Sequence, residues 1–126
     1  MRVSPKHLRV ASEAILVKLG MGTKSAQAAA KVLVATDLRG IDSHGVSMLR
    51  GYFNQFKEGS LNPNPTWTIL REAPATATVD GDQALGISIG AELMELAMDN
   101  TRKCVIGTVT IANCRHLGAQ VHFDRL

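Results

Sequence analysis

A mixed α/β fold, helical at its start and sheet-forming in its second half, is what this sequence predicts. Three observations point to it. Apolar residues recur at helical spacing from Leu8 to the region of Lys57. The stretch Leu61-Asn-Pro-Asn-Pro65 then forbids helix and favours an extended turn. Beyond it, threonine-rich and branched runs flank one long helical pattern, an order that reads as a βαβ-like unit. The expected division is an N-terminal helical bundle over 1–60 and the start of a mixed α/β domain over 61–126.

Each element has a local reason. Ser4-Pro5 reads as an N-cap followed by a first helical residue, with Leu8, Ala11, Ile15 and Leu19 expected on one face. Gly20-Met-Gly22 stops that helix. Thr23 or Ser25 starts the next, with Ala30, Leu33, Val34 and Leu38 expected on a face and Ala28–Ala30 allowing close approach. Gly40 ends it. A third helix is expected from Asp42 or Ser43 as N-cap to about Lys57, and such short connections predict helices packed on each other. Two strands are expected at Thr66–Leu70 and Ala75–Val79, followed by a turn at Asp80-Gly-Asp82. A helix over about Leu85–Arg102 with Ile89, Leu93, Leu96 and Ala97 on one face leads to a strand at Val105–Ile111. That strand is apolar enough to be central in a sheet. The final residues Val121–Leu126 look like a helix under way, and so few strands leave exposed edges; more chain or a partner is expected to complete the structure.

Composition narrows the function. A chain of 126 residues can bury a core, and 45% apolar content argues against disorder. The net charge of +3 comes from interspersed charges with no basic block and few aromatics, which excludes a nucleic-acid surface. No apolar run is long enough for a membrane span or placed as a signal peptide, and two cysteines make no disulfide framework; a cytoplasmic, reduced protein is expected. Cys104 reads as a small buried hydrophobe near a strand start. Cys114, His116 and His122 form a poor zinc pattern, Asp80-Gly-Asp82 has too few ligands for calcium, and no metal site is expected.

The chemistry centres on Asp37-Leu-Arg-Gly-Ile-Asp-Ser-His-Gly-Val46. His44 is expected in a first helical turn, whose positive end favours a neutral ring. Spacing by four would put His44, Met48 and Tyr52 on one side. His116 lies in a loop after the last strand, between Asn113 and Gly118, where α/β proteins place their sites. Two histidines in separate loops can converge on one pocket. Taken singly, His44 reads first as a satisfied helix-start residue and Ser43 as a cap, while Tyr52 reads equally as a core tyrosine.

These residues also carry a resemblance. Asp37–Val46, Gly59–Pro65, Pro74–Ala77, Val79–Asp82, Leu85-Gly86 and Asn113-x-x-His116-x-Gly118, in that order, resemble the N-terminal part of the type-2 malate/L-lactate dehydrogenases, a family that includes ureidoglycolate and sulfolactate dehydrogenases. The likeness runs from about Leu8 to Gly118. It implies a non-Rossmann fold, a homodimer, NAD or NADP as cofactor, and hydride transfer to or from a small-molecule 2-hydroxy or 2-keto acid. Gly81, Gly86 and Gly90 make no dinucleotide fingerprint, which suits that fold. By resemblance, His116 is the general acid/base, with His44 as its companion. Ser43, His44 and Tyr52 contact the substrate, while residues that hold the cofactor are not assigned. Met48 stands where the family commonly has arginine, so it leaves either an altered substrate clamp or plain packing. The family's chains are much longer, so this chain is expected to be an N-terminal portion inactive alone. The other reading is a non-catalytic relative serving as an interaction or dimerisation module.

Overall fold

The computed structural model describes residues 2–125. Helices α1 (Pro5–Lys18), α2 (Thr23–Leu38) and α3 (Leu49–Lys57) precede strands β1 (Thr68–Ala73) and β2 (Thr76–Ala84). Helix α4 (Gly86–Cys104), strand β3 (Thr108–Cys114) and a 3-10 segment (Gln120–Arg125) follow. Leu126 lies outside the described residues. The fold is the mixed α/β arrangement that the sequence predicts.

Helix ends follow local chemistry. Pro5 opens α1 after an extended Ser4, whose carbonyl accepts from Leu8 N–H at 3.0 Å. At the end of α2, Gly40 takes φ +74°, Gly40 N–H donates to Asp37 O and Ile41 N–H donates to Thr36 O. This is the paired closure that a left-handed residue after a helix allows. The same pair of bonds closes α1 and α3.

The buried stripe of α1 is one residue out of phase with expectation. Ser12 and Leu16 are buried, whereas Ala11 and Ile15 are exposed. Ser12 is tolerated there because its hydroxyl donates to Leu8 O at 2.8 Å. Ala26, Ala29 and Ala30 of α2 are all fully buried, and Leu33 is buried with them. Leu38 is 68% exposed, since α2 ends there. Leu16, Leu33, Tyr52, Leu61, Leu85 and Ile87 belong to one apolar cluster that joins the helices to the start of α4.

The sheet runs β1-β2-β3, with β1–β2 antiparallel and β2–β3 parallel. Helix α4 is the crossover between the parallel strands. Ile89 and Leu93 cover Val79 and Ala84, with Leu96 and Ile111 against them. Two expectations need correction. Asp80-Gly-Asp82 is no chain reversal but a bulge within β2, where Asp82 and Gln83 take φ +51° and +55° and the register shifts. It is held by long-range donors: Asn113 Nδ2 to Asp80 Oδ1 at 3.0 Å, and Asn62 Nδ2 and Thr66 N–H to Asp82 Oδ2 at 2.9 and 3.0 Å. Strand β3 begins at Thr108, not Val105, and forms an edge of this sheet rather than its centre. Val105 sits at φ +70° and 92% exposure, and Cys104, half-buried, ends α4. Among the described residues no helix is long and apolar enough to cross a membrane.

Candidate active site

His44 does not stand in the first turn of a helix. Asp42–His44 form a 3-10 turn, Gly45 is extended, Val46–Met48 form a second 3-10 turn, and α3 starts only at Leu49. Neither Asp42 nor Ser43 makes a side-chain cap bond to α3, whose N-cap is Met48. The break has a cause in Asp37. Val46 N–H donates to Asp37 Oδ2 at 3.0 Å, and a Cβ on Gly45 would overlap the same carboxylate. His44 therefore stands apart from the first turn of α3. Ser43 Oγ lies 2.8 Å from His44 Nδ1 and fixes the ring from the other side.

Tyr52 comes from α3 and is 0% exposed. His116 comes from the loop after β3. The end of β3 kinks at Asn113 (φ +48°); the loop then pairs Arg115 N–H with Ala84 O at 2.9 Å and donates Arg115 Nε to Ser60 O at 3.0 Å. Its backbone lies against Gly86, where an added Cβ would stand 2.9 Å from Arg115 O.

The two histidines meet. Their ring centroids are 5.4 Å apart, tilted by 33°. Tyr52 Oη is 2.7 Å from His116 Nδ1, with ring centroids 5.9 Å apart. Both imidazoles are half-buried. Burial lowers the His116 pKa below the usual histidine value, and the neighbouring His44 lowers it further. Burial also raises the Tyr52 pKa above the usual phenol range, so the hydroxyl keeps its proton. The cluster thus brings a basic neutral ring, a second ring and a phenol to one place.

Met48 does not join it as a polar group; it lies against the main apolar cluster, and Arg50 is exposed. His122 instead meets Phe123 edge-on at 5.4 Å. Among the described residues no group of three or more His, Cys, Asp or Glu side chains could hold a metal ion. Cavities of about 290 Å³, between α4 and β3, and about 260 Å³, beside Trp67 and Glu92, are lined by neither histidine. Sequence reasoning gave Asp37 no role. The available signal was an acidic residue in the last turn of a helix that has no basic residue there.

The chain is similar in sequence and fold to known proteins. The malate/L-lactate dehydrogenase family matches residues 3–125. The L-sulfolactate dehydrogenase of Methanocaldococcus jannaschii is 37% identical over 112 residues, covering 89% of this chain and 33% of that protein. The malate dehydrogenase of Pyrococcus abyssi is 40% identical over 104 residues, covering 82% and 29%. The structure of malate dehydrogenase from Pyrococcus horikoshii OT3 superposes with a TM-score of 0.93 at 35% identity, over 98% of this chain and 35% of that one. The chain spans about a third of the length of the relatives it matches. With that likeness along its whole described length, the chain belongs to the malate/L-lactate dehydrogenase family.

Proposed function

We propose that this chain supplies the proton-transfer half of a nicotinamide-dependent dehydrogenase that interconverts a 2-hydroxy and a 2-keto acid. One observation carries the reading: His116 is held at Nδ1 by Tyr52, 2.7 Å away, with the His44 ring beside it. When Nδ1–H donates to Tyr52 Oη, the Nε2 lone pair is left free. In the oxidative direction Nε2 takes the hydroxyl proton as the carbon gives up hydride. In the reductive direction the protonated Nε2–H returns it to the developing alkoxide. A lowered pKa keeps the ring unprotonated near neutral pH, which suits the base. With its Nδ1 against Ser43, His44 can present Nε2 to a substrate oxygen. Ser43 and Tyr52 line the same place. Met48 offers no cation, so the substrate carboxylate is held by groups other than that at position 48.

When bound, NAD or NADP would supply the hydride acceptor or donor. The start of α4, where a Rossmann fold would seat a pyrophosphate, is closed by the backbone at Arg115–Leu117. The chain's own contribution is therefore the proton and the substrate oxygens. Residues 1–60 bring His44 and Tyr52, residues 61–126 bring His116, and the whole enzyme is read as a cytoplasmic homodimer.

In the whole enzyme, His116→Ala should lower kcat by roughly a hundredfold or more. Unchanged kcat removes His116 from the acid/base role. The 126-residue chain by itself should give no turnover with either nicotinamide and a panel of 2-keto acids; robust turnover overturns the division of labour.

A further inference from the structure

We propose that Asp37 is the positioning residue of the histidine pair: its carboxylate fixes the turn at Gly45-Val46 and so holds the His44 ring beside His116. The starting point is that Asp37 is misplaced for helix stability. It lies in the last turn of α2, where the dipole is negative, and no basic residue shares that turn. Its carboxylate turns forward instead. It accepts Val46 N–H at 3.0 Å, across nine residues of chain, and occupies the space that a Cβ on Gly45 would need.

The consequence falls on the neighbouring residue. Gly45 is buried and extended, and interrupts what would otherwise be a continuous helix from Asp42 to α3. Within an unbroken helix His44 would follow the pitch of α3. The break frees the Asp42–His44 turn to face the loop after β3, where the two rings stand 5.4 Å apart. Ser47 Oγ, donating to Asp42 O at 2.7 Å, closes the same turn from its far side. No other side chain among the described hydrogen bonds reaches the backbone of Gly45 or Val46. Asp37 touches neither ring, so it acts through the turn. The groups that face His116 are His44 from this turn and Tyr52 from α3, with Arg115 next to it in its own loop.

Only the catalytic consequence rests on the acid/base reading above; the geometry and the test need no substrate or cofactor. The test is an NMR titration of the four histidines in the chain itself. In Asp37→Ala, His44 leaves its place, its repulsion is lost, and the midpoint of His116 moves up. Asp37→Asn keeps an oxygen to accept Val46 N–H and should titrate like the parent. In a His44→Ala background, Asp37→Ala should leave His116 where the single His44→Ala variant puts it. A merely structural Asp37 would lower Tm and leave the His116 midpoint unchanged. That result overturns the proposal, as would an Asp37→Asn shift as large as that of Asp37→Ala, or an effect that persists without His44. If Asp37→Ala fails to fold, Gly45→Ala displaces the same turn and is judged by the same outcomes.

Discussion

Tyr52→Phe removes a single oxygen and leaves the ring in its apolar site. Tyr52 is 0% exposed, so phenylalanine fills the same volume and the packing contribution is retained. What goes is the 2.7 Å contact to His116 Nδ1, a link across 64 residues that fastens the loop after β3 to α3. A hydrogen bond of this kind contributes about 1 kcal/mol net, and a buried partner left unpaired costs about 1–3 kcal/mol. His116 is only half-buried, so water reaches its freed nitrogen and the smaller part of that range applies. The expected loss is about 1–1.5 kcal/mol. For a domain of this size it lowers Tm by about 4–6 °C. The urea midpoint should fall by about half a molar unit with an unchanged slope.

The same substitution tests the chemistry. The acid/base role needs the His116 proton on Nδ1 when the ring is neutral, which requires Tyr52 Oη, 2.7 Å away, to act as its acceptor. Nitrogen-15 shifts of His116 report the tautomer directly. The parent should favour Nδ1–H, and Tyr52→Phe should lose that preference. A variant as stable as the parent, with the same tautomer population, would refute the reasoning, because the contact would then hold neither the loop nor the proton.

Two further outcomes follow from single residues. Val105 is a β-branched residue at φ +70° with 92% of its surface in water; Val105→Gly relieves that strain and should raise stability by about 1 kcal/mol, read from the urea midpoint, whereas a loss would show that no strain is stored there. His116 and His122 both have pKa values lowered by burial, so the unfolded chain binds protons more tightly than the folded one. Their contribution is complete above the unfolded value of about 6.5 and is lost as pH falls through the lower folded values. Urea midpoints measured at falling pH from 7.5 should decrease through that window, and an increase would contradict the sign.

Much of the fold was legible because short-range chemistry decides it. Ser4-Pro5 starts α1, Gly40 ends α2 and the proline pair at 63 and 65 separates helices from sheet, each by a rule that involves only neighbouring residues. The phase of α1 was not legible. Its sequence offers Ile15 and Leu16 side by side, and only the alanine surface of α2 selects Leu16 for burial. The strand at Val105 was misread for a related reason. Val105 and Ile106 have strand-like side chains, but Gly107 lies so close to Ala97 O that the chain joins the sheet only at Thr108. His116 could be picked out by its place in a loop after a strand, and His44 by its place in Asp37–Val46, although on a 3-10 turn and not the helix expected. What holds them could not, since Tyr52–His116 and Asp37–Val46 are contacts that only the folded chain makes.

The two misread carboxylate segments share a physical explanation. Asp42-Ser43 and Asp80-Gly-Asp82 carry the residues that local rules assign to a cap and a turn. In the fold, aspartates near these segments accept donors from elsewhere: Asp37 takes Val46 N–H, Asp80 takes Asn113 Nδ2, and Asp82 takes Asn62 Nδ2 and Thr66 N–H. These bonds hold places where the helix or the strand pairing is interrupted, at the Gly45 break and at the bulge in β2. An acceptor with several lone pairs is the efficient way to satisfy such backbone. The histidine pair therefore forms at a seam. His44 arrives on a turn tied to α2, His116 on a loop tied to β2, and Tyr52 crosses between them from α3. Because the rings come from opposite sides of the proline linker, neither 1–60 nor 61–126 contains the pair, and its geometry is a property of how the two parts pack.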